Sequence, residues 1–565
     1  MMWQLVLTLG LLAADPTGAT QATGDTPGSI PQLHRKAEMN YLVRDWDQAV
    51  ELYGRLSDLN PTVGLYWYRL GEALLRSKQY EQAIAPLKKA EELGSFQSTP
   101  PRMAHRGEVA CLLATAFAAL GEQEEARRWT RTALDQGLRD ITKLRSAEFA
   151  ELLEDPAFCK LVWQTDTQNL SRDEGYRHDL RFAVHELKRV HFSPFRATSE
   201  ADIDAAVAKL EAEIPDLSED EILTRFVAII SLFGDGHTRL QTATPQLPVR
   251  LFRFPEGLFV LGATSEHADL VGARILRINN CAAEVALARA ESILPRENPM
   301  MPLWLSPSVL QSITMLRGLG IAPAEGAVGL QIEDASGQQR TVQLVAPDKP
   351  PWRGNLTYAV AGRDDSPPEY LRHLDKTMWH EVLPDGKTMY CQLNGIGHGT
   401  KTFQKYFEAL FEEIEKGEIE RLVLDMRFNG GGNTFLNPPL IEGLIRSEKF
   451  REPGNLFVIT GRSTFSAAIN TVGELERRTT AILVGEPPSS PPNFVGESVG
   501  VPLPCTGWEI SISDLSWQTS FPMDYRVWIS PTIYAPPTAE TFRAHRDPAL
   551  EAIFDYVRLN ASPAG

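Results

Sequence analysis

Three continuous apolar runs in the C-terminal half of the chain, separated by helix-like segments, constrain the fold more than any other feature of the sequence. They occupy residues 422–426, 455–460 and 481–485, and a helix-like segment at 434–448 separates the first two. Apolar runs that alternate with helices are typical of a parallel sheet buried on both faces. Because ligands bind beyond the carboxyl ends of the strands in such sheets, we expect a functional site just after these runs.

Small residues follow the first two runs. Gly430, Gly431 and Gly432 follow the first, and Ser466 follows the second at the start of a helix-like segment. A hydroxyl at a helix start, beside backbone N–H groups that no side chain covers, suits a serine nucleophile facing an oxyanion hole. We predict Ser466 as the nucleophile. The expected oxyanion donors are the backbone N–H groups of Gly430 or Gly431 and of Ala467. The alternatives are a helix-capping serine and a loose glycine turn.

Four short motifs, in the same order, resemble the tail-specific (C-terminal processing) serine peptidases over about residues 175–560. They are Gly-Asp-Gly-His-Thr at 234–238, Asp-x-Arg-x-Asn-Gly-Gly-Gly at 425–432, Gly-x-x-Thr-x-Ser-Ala-Ala at 461–468 and Val-Gly-Glu at 484–486. The resemblance implies an α/β crotonase-like (ClpP-like) peptidase core with His237 as general base. A neutral imidazole suits this role, because it can take the serine proton and return it to the leaving amine. A polar loop histidine without a role is the alternative.

One departure from the family concerns its lysine. Many tail-specific peptidases use a Ser–Lys dyad, with the lysine soon after Val-Gly-Glu, but residues 487–492 read Pro-Pro-Ser-Ser-Pro-Pro. The sequence therefore resembles the tricorn-core type, in which a histidine is the base and an acidic residue orients it. That resemblance implies Asp524 as the orienting acid, with Glu497 as a weaker candidate. A surface salt bridge is the alternative interpretation of Asp524.

The N-terminal part of the chain is helical and repetitive. Ala49 and Ala83 occupy equivalent positions 34 residues apart, and Ala126 lies in a third, displaced copy. A period of 34 residues with small residues at helix crossings resembles tetratricopeptide repeats. The predicted repeat domain, residues 30–165, would either dock a protein partner or peptide or act as a spacer.

The remaining boundaries follow from changes in periodicity. We expect a multidomain protein, in which an α-helical tetratricopeptide-repeat array is followed by an α/β peptidase core with an embedded PDZ-like β segment. Within the β segment, residues 327–332 are expected to pair with 341–344 across a turn at 334–338. The predicted parts are a signal peptide at 1–20, repeats at 30–165, a helical N-terminal part of the peptidase region at 175–245, a PDZ-like segment at 246–348 and the α/β core at 355–560.

Composition excludes some partners and indicates a compartment. The net charge is −17 and no basic stripe is present, which argues against a nucleic-acid partner. The apolar run at 5–14 and the small residues after it predict a secretory signal, hence a periplasmic or secreted protein, although a basic residue is missing from its start. A cytoplasmic start is the alternative. No segment is long enough to span a membrane.

The sequence lacks metal and cofactor motifs. His185 and His191 are six residues apart, which places them on different faces of a helix, and they do not form a His-Glu-x-x-His motif. Neither a phosphate-binding loop nor a dinucleotide fingerprint is present, so no cofactor is predicted. The five cysteines lie singly, and we expect them to be small buried apolar residues.

These observations predict an exported serine peptidase that hydrolyses peptide bonds through a Ser–His–acid arrangement, with a peptide or protein as substrate. The alternative is a catalytically inactive protein that keeps the peptidase fold and holds a peptide or a small hydrophobic ligand. The absent lysine and the proline-rich segment favour the second interpretation, and the presence of Ser466 and His237 in their motifs favours the first.

Overall fold

The computed structural model describes residues 29–94, 106–241, 243–349, 351, 353–363 and 365–560. The predicted signal peptide lies outside these residues. The chain divides into two compact units, one comprising residues up to 175 with 182–191, the other comprising 176–181 with the chain from 192 onwards. Among the described helices, none is both long and apolar enough to cross a bilayer.

The first unit consists of helices that pack on their neighbours in sequence. Ala49, Ala83 and Ala126 are fully buried, as expected of small residues at helix crossings. A Cβ on Gly71 would lie 2.6 Å from the side chain of Leu87, so two helices approach closely here. The tetratricopeptide assignment stays a prediction. The helices are α1 (Ile30–Leu42), α2 (Trp46–Leu59), α3 (Gly64–Arg76), α4 (Tyr80–Leu93), α5 (Glu108–Ala119), α6 (Gln123–Asp135) and α7 (Pro156–Leu161).

Three helices lead towards the histidine of the Gly-Asp-Gly-His-Thr motif. The first begins at a capping box formed by Ser171 and Glu174 and contributes residues to both units. The last begins at a second capping box, formed by Ser218 and Glu221, and ends six residues before His237. The three helices are α8 (Arg172–Val190), α9 (Glu200–Glu213) and α10 (Glu219–Ser231).

A mostly antiparallel β region follows in the second unit. Its main sheet has the strand order β2–β3–β4–β6–β7, and β5 pairs with β4. The predicted pairing of residues 327–332 with 341–344 is confirmed, with Leu330 opposite Val342. The PDZ-like assignment stays a prediction. The elements are β1 (Arg239–Gln241), β2 (Val249–Phe254), β3 (Gly257–Ala263), β4 (Arg274–Ile278), β5 (Cys281–Ala282), α11 (Ala283–Glu291), α12 (Met300–Val309), α13 (Ile313–Gly318), β6 (Val328–Glu333) and β7 (Gln339–Leu344).

The C-terminal part forms a six-stranded sheet with the order β15–β12–β11–β10–β9–β8. Its strands are parallel except β8, which is antiparallel to β9. The hairpin β13–β14 lies in a separate sheet with β1. The elements are α14 (Glu369–Arg372), β8 (Met378–Val382), β9 (Thr388–Leu393), α15 (Phe403–Lys416), β10 (Arg421–Asp425), α16 (Pro438–Arg446), β11 (Leu456–Thr460), α17 (Ala467–Arg478), β12 (Ile482–Gly485), β13 (Asn493–Pro502), β14 (Glu509–Gln518), β15 (Ile533–Tyr534), α18 (Ala539–Arg543) and α19 (Pro548–Asn560).

Both faces of this sheet are buried, as the apolar runs predict. Leu422 and Leu424 pack with helices α15, α16 and α17, whereas Val423 on the opposite face packs with α19. The predicted helix at 434–448 is shorter in the structure. It begins only at Pro438, because a proline lacks the N–H that a helix interior needs but fits the first helical position.

A buried ionic network fixes the carboxyl end of β10. Arg427 forms two hydrogen bonds to Asp547, of 3.0 and 2.8 Å, and one of 3.1 Å to Asp425. The hydroxyl of Tyr390 donates to Asp425 over 2.6 Å, and Asp547 also accepts from the backbone N–H of Ala549 at the start of α19. Because all three charged side chains are almost fully buried, each depends on its partners for solvation.

Replacing Asp547 by alanine should therefore leave Arg427 buried with an incomplete set of acceptors. We expect a loss of about 3–5 kcal/mol in the free energy of unfolding, measured by urea denaturation. Asp555→Ala is the matched control on the same helix, because Asp555 pairs with Arg558 in an exposed position. Its expected effect is below about 0.5 kcal/mol. Equal effects of the two substitutions would contradict the stabilising role of the buried network.

Candidate active site

Ser466 occupies a strained turn between β11 and α17. Its backbone has φ 57° and ψ −127°, a conformation that costs a residue with a side chain about 1–3 kcal/mol. The residue is half-buried, and its side chain makes no capping hydrogen bond to α17. The structure therefore contradicts the helix-cap interpretation of Ser466.

Hydrogen bonds to the neighbouring strand end hold this turn. The Thr464 hydroxyl donates to the carbonyl of Met426 over 2.9 Å and accepts from the N–H of Gly461 over 3.0 Å. The N–H of Phe465 donates to the carbonyl of Asn429 over 3.0 Å. The ends of β10 and β11 are thus joined immediately before Ser466, and their contacts maintain its strained backbone.

The glycine loop lies directly against Ser466. A Cβ on Gly431 would be 2.6 Å from the Cβ of Ser466 and 3.1 Å from the backbone nitrogen of Ala467. Gly431 and Gly432 also have φ values of 109° and 140°, which favour glycine. The close approach of this loop therefore requires glycine, in contrast to the interpretation of a loose turn.

The backbone N–H groups beside Ser466 differ in their availability. Gly431 donates to the side chain of Asn429 over 3.0 Å, so its N–H is already used. Among the described residues, the N–H groups of Gly430 and Ala467 have no acceptor. Of the three expected oxyanion donors, these two are free in this structure to bind a negatively charged oxygen.

His237 lies beside the residue that precedes Ser466. Its ring stacks between Phe465, at a centroid distance of 4.4 Å, and Phe494, at 5.6 Å. A Cβ on Gly496 would lie 3.2 Å from Cε1 of this histidine. The structure therefore brings the predicted base and the Ser466 turn together, with an aromatic ring on each side of the imidazole.

Asp235 fixes the backbone of the histidine loop. One of its carboxylate oxygens accepts hydrogen bonds from the N–H groups of His237 and Thr238, over 3.0 and 2.8 Å, and from the hydroxyl of Ser513 over 2.6 Å. Because Ser513 lies on β14, these bonds attach the loop to the β13–β14 hairpin. The aspartate of Gly-Asp-Gly-His-Thr thus holds the histidine loop in place.

The imidazole of His237 is neutral at pH 7. Both ring nitrogens are buried, and neither has a hydrogen-bond partner of normal geometry, Ser466 included. The pKa of His237 is lowered to about 4, chiefly by burial and in part by the nearby Arg239, although Asp235 and the Val495 carbonyl act to raise it. The neutral form can accept a proton, but the low pKa makes it a weak base without help from a nearby anion.

Glu297 is a site residue that the sequence did not reveal. Its carboxylate accepts from the N–H of Gly236 and from the hydroxyl of Ser490, both over 2.7 Å. One potential ligand atom from each of Glu297, His237 and Asp235 lies within 4.8 Å of the others. The pKa of Glu297 is raised to about 7, because the effect of burial is larger than the lowering effect of its two hydrogen bonds. No motif surrounds Glu297, so only the fold shows its proximity to His237.

The proline-rich segment takes part in this arrangement. Ser490 lies in the stretch at 487–492, where the family pattern would place its lysine, and here it binds Glu297. The side-chain amide of Asn298 also donates to the carbonyl of Pro488 over 3.0 Å. The segment that lacks the lysine therefore positions a carboxylate next to the histidine.

Among the described residues, Asp524 is not hydrogen-bonded to the imidazole of His237. Its carboxylate pairs with Arg526 at 2.8 Å and accepts from the hydroxyl of Ser520 over 2.6 Å. Arg526 also pairs with Glu476 at 2.7 Å. The hydrogen bonds from Arg526 hold the pKa of Asp524 well below its usual range. This arrangement matches the surface salt bridge rather than the orienting acid, and Glu497 is exposed on β13.

Within the described ranges, two groups of side chains bring potential metal ligands within 4.8 Å of one another. In each group a carboxylate already accepts backbone N–H groups, from Cys505 and Thr506 in one and from Gly236 in the other. These bonds give both carboxylates a role in holding loops. The groups are His178, Asp179 and Cys505, and Asp235, His237 and Glu297.

No protein-family model matches the sequence, and no curated protein is significantly similar to it. The structure is similar to that of mature CPAF, with a TM-score of 0.48 and 13% identity over 68% of this chain and 97% of that one. It is also similar to the photosystem II D1 C-terminal processing protease, with a TM-score of 0.35 and 13% identity over 70% and 99%. An S41 protease from Bacteroides fragilis gives a TM-score of 0.31 and 15% identity over 58% and 87%. All three TM-scores are below 0.5.

The burial of His237 should make the protein less stable in acid. The unfolded chain protonates this histidine below pH 6.5, whereas the folded protein does so only near pH 4. The free energy of unfolding should therefore fall as the pH is lowered through this window, by about 3 kcal/mol at most. His237→Asn removes this loss, so its stability relative to wild type should increase from pH 6.5 to 4 in urea unfolding measurements.

Glu297→Gln is the matched variant for which we expect the opposite dependence of relative stability on pH. The pKa of Glu297 is about 7 in the folded protein against 4.5 when unperturbed, so unfolding releases a proton between these values. The wild-type protein loses this contribution to stability as the pH rises from 4.5 to 7. Relative to wild type, Glu297→Gln should therefore become more stable over that range. Differences that do not vary with pH in either variant would contradict the burial of the two groups.

Proposed function

We propose that this chain is a serine-type peptidase in which Ser466 is the nucleophile and His237 the general base. The observation that carries the proposal is the strained Ser466 turn, packed against the glycine loop on one side and joined to the His237 stack through Phe465. A strained serine whose hydroxyl does not cap its helix is accessible for nucleophilic attack. Two free backbone N–H groups lie beside it.

The reaction follows from these positions. The hydroxyl oxygen of Ser466 attacks the carbonyl carbon of a peptide bond while His237 accepts the hydroxyl proton. The N–H groups of Gly430 and Ala467 stabilise the negatively charged carbonyl oxygen of the tetrahedral intermediate. The intermediate collapses, and the leaving amine takes the proton from the imidazolium. Water then attacks the acyl carbon while His237 accepts its proton. The bond from that carbon to the Ser466 oxygen breaks, the proton passes from the imidazolium to this oxygen, and the carboxylic acid product leaves.

The imidazole must turn towards Ser466 for this reaction. Among the described residues, neither His237 nitrogen has a hydrogen-bond partner of normal geometry, so the imidazole can rotate without breaking such a bond. Catalytic hydrogen bonds commonly tighten only when substrate is bound. Before substrate binds, the stacked rings of Phe465 and Phe494 keep the imidazole next to the backbone turn that contains Ser466.

We further propose Glu297, in place of Asp524, as the carboxylate that supports the base. An anion within 4.8 Å stabilises the imidazolium that forms when His237 takes the serine proton. With a pKa of about 7, Glu297 is partly ionised at neutral pH, so the pair can take up and release one proton there. Asp235 adds a second negative charge beside the ring.

Export and partner docking complete the proposal. The small-residue stretch after the N-terminal apolar run supports transport to the periplasm or out of the cell, where peptide or protein substrates would be met. The helical first unit supports a docking role for a protein partner, because stacked helix pairs present an extended concave surface.

A second candidate function is a non-catalytic protein that binds a peptide or a small hydrophobic ligand in the same fold. One observation favours it. Among the described residues, no hydrogen bond joins the Ser466 hydroxyl to either His237 nitrogen, and the low pKa of His237 weakens the base. A chemical test of serine reactivity separates the two functions.

A fluorophosphonate should form a covalent adduct on Ser466 in the wild-type protein, detected by mass spectrometry. Ser466→Ala should abolish the adduct, and His237→Ala should slow its formation about 10³-fold or more, because the serine proton would have no acceptor. Ser498→Ala is the control, since Ser498 is an exposed serine on β13. Its labelling should equal that of wild type. A wild-type protein that forms no adduct and cleaves no peptide would favour the binding function.

The role of Glu297 can be tested against that of Asp524. Glu297→Gln should lower kcat for peptide cleavage by about 10²-fold, because the imidazolium loses its anion. It should also move the acidic limb of the pH profile to lower pH, because the carboxyl that takes up a proton near pH 7 is gone. Glu297→Asp should restore part of kcat. Asp524→Asn should leave the pH profile unchanged. If Asp524→Asn produces the larger loss, Asp524 is the supporting acid after all.

A further inference from the structure

A cavity lies beside the Ser466 turn. It has a volume of about 220 Å³ and is lined by residues of β2 and α12 together with residues that follow β10 and β11. Trp304 in its wall contacts Phe465 at a ring distance of 5.2 Å, and Ser463, three residues before the nucleophile, lines it as well. A substrate held at Ser466 can therefore place a neighbouring side chain in this cavity.

Arg250 supplies an uncompensated positive charge to the cavity. Its guanidinium lies over the ring of Phe428 at 5.1 Å and donates one long hydrogen bond, of 3.4 Å, to the hydroxyl of Tyr358. No carboxylate among the described residues pairs with it. Arg462, the other cation in the wall, differs because it is buried in an ion pair with Glu486. Of the five N–H donors of Arg250, the structure shows a hydrogen bond for one.

The other polar groups of the cavity also suit an anion. The backbone N–H of Leu251 donates to Oε1 of Gln311 over 2.9 Å, which leaves the Nε2 group of Gln311 as a donor. The described residues that line the cavity include no aspartate or glutamate. A planar guanidinium on an aromatic ring, with a second donor close by, matches the geometry of a carboxylate.

The size of the cavity selects the kind of ligand. Sites for whole small molecules commonly measure about 300–1,000 Å³. A cavity of about 220 Å³ is smaller, and it accommodates one amino-acid side chain of a longer ligand. The apolar walls, which include Trp304 and Phe428, would enclose the methylene groups of that side chain while its carboxylate meets Arg250.

We propose that this cavity is a specificity subsite for an acidic side chain of a peptide substrate, with Arg250 as its binding residue. The proposal rests on the proposed peptidase function for the position of the substrate, but the binding of the acidic side chain requires no catalysis. Arg250 acts by pairing with the carboxylate, and Gln311 adds a hydrogen bond. A peptide with glutamate at the matching position should therefore be preferred over the same peptide with glutamine.

The first experiment measures binding without turnover. Fluorescent peptides with amidated C-termini, identical except for Glu or Gln at each position in turn, are titrated into the full-length Ser466→Ala protein. We expect the glutamate peptide to bind about tenfold tighter at one position, the scale of one charge-assisted hydrogen bond. Adding Arg250→Gln should remove this ratio, and adding Arg250→Lys should keep part of it. Circular dichroism of each variant establishes that it is folded.

The matched control is Arg277→Gln. Arg277 is exposed on β4, in the same sheet as Arg250, and does not line the cavity. Its substitution should leave the glutamate-to-glutamine ratio unchanged. A peptide with glutamine and a free C-terminal carboxylate tests the other source of the same chemistry. If only the free terminus improves binding, the side-chain subsite is wrong.

The second experiment compares kcat/KM for the same peptide pair in the wild-type protein and in Arg250→Gln. The ratio of the two kcat/KM values should fall from about ten to about one, whatever the absolute activity of the variant. Equal binding of both peptides by Ser466→Ala, or a ratio that survives Arg250→Gln, would overturn the subsite. A ratio present in binding without any peptide cleavage would instead overturn the peptidase function and leave the subsite standing.

Discussion

The close approach of the Gly430–Gly432 loop to Ser466 is the constraint on which the rest of the candidate site depends. Gly431 leaves no room for a Cβ beside the serine, and the Ser466 backbone occupies a conformation that few residues with side chains adopt. Both features cost free energy locally. The buried parallel sheet offsets that cost, because it fixes the ends of β10 and β11 side by side and the Arg427 network anchors α19 to the same edge.

Electrostatics explains why His237 can lie next to the Ser466 turn in its neutral form without a hydrogen bond to the serine. His237 lies between two aromatic rings, where burial favours its neutral form, and Glu297 lies nearby, where burial also favours the neutral form. Burial disfavours the charged form of each group alone. When His237 takes the serine proton, the imidazolium and the Glu297 carboxylate can stabilise each other as a pair. Arg250 adds a positive charge in the nearby cavity. The described residues that line this cavity include no carboxylate, so we propose that a ligand supplies one.

The central strands and the place of Ser466 could be predicted from the sequence because their signals are local. An apolar run followed by glycine or serine specifies a buried strand and the turn after it, and β10, β11 and β12 lie within one residue of the runs. The acid could not be predicted in the same way. The prediction of Asp524 depends on a resemblance to the tricorn-core type near the C-terminus, and the structure pairs this residue with Arg526. Glu297 has no local signal, because it reaches His237 only through contacts with Gly236 and Ser490.

The sequence by itself determined the alternation of strands and helices, the glycines that a close approach needs and the residue types available for chemistry. The tertiary structure alone decided which N–H groups of the glycine loop are free, which carboxylate lies beside the imidazole, and that Arg250 pairs with no carboxylate of the described residues. The physical reason is that hydrophobic periodicity is a local property of neighbouring residues and can be recognised in the sequence. Hydrogen-bond and charge partners are set by distances across the fold, between segments that the chain brings together only when its core is packed.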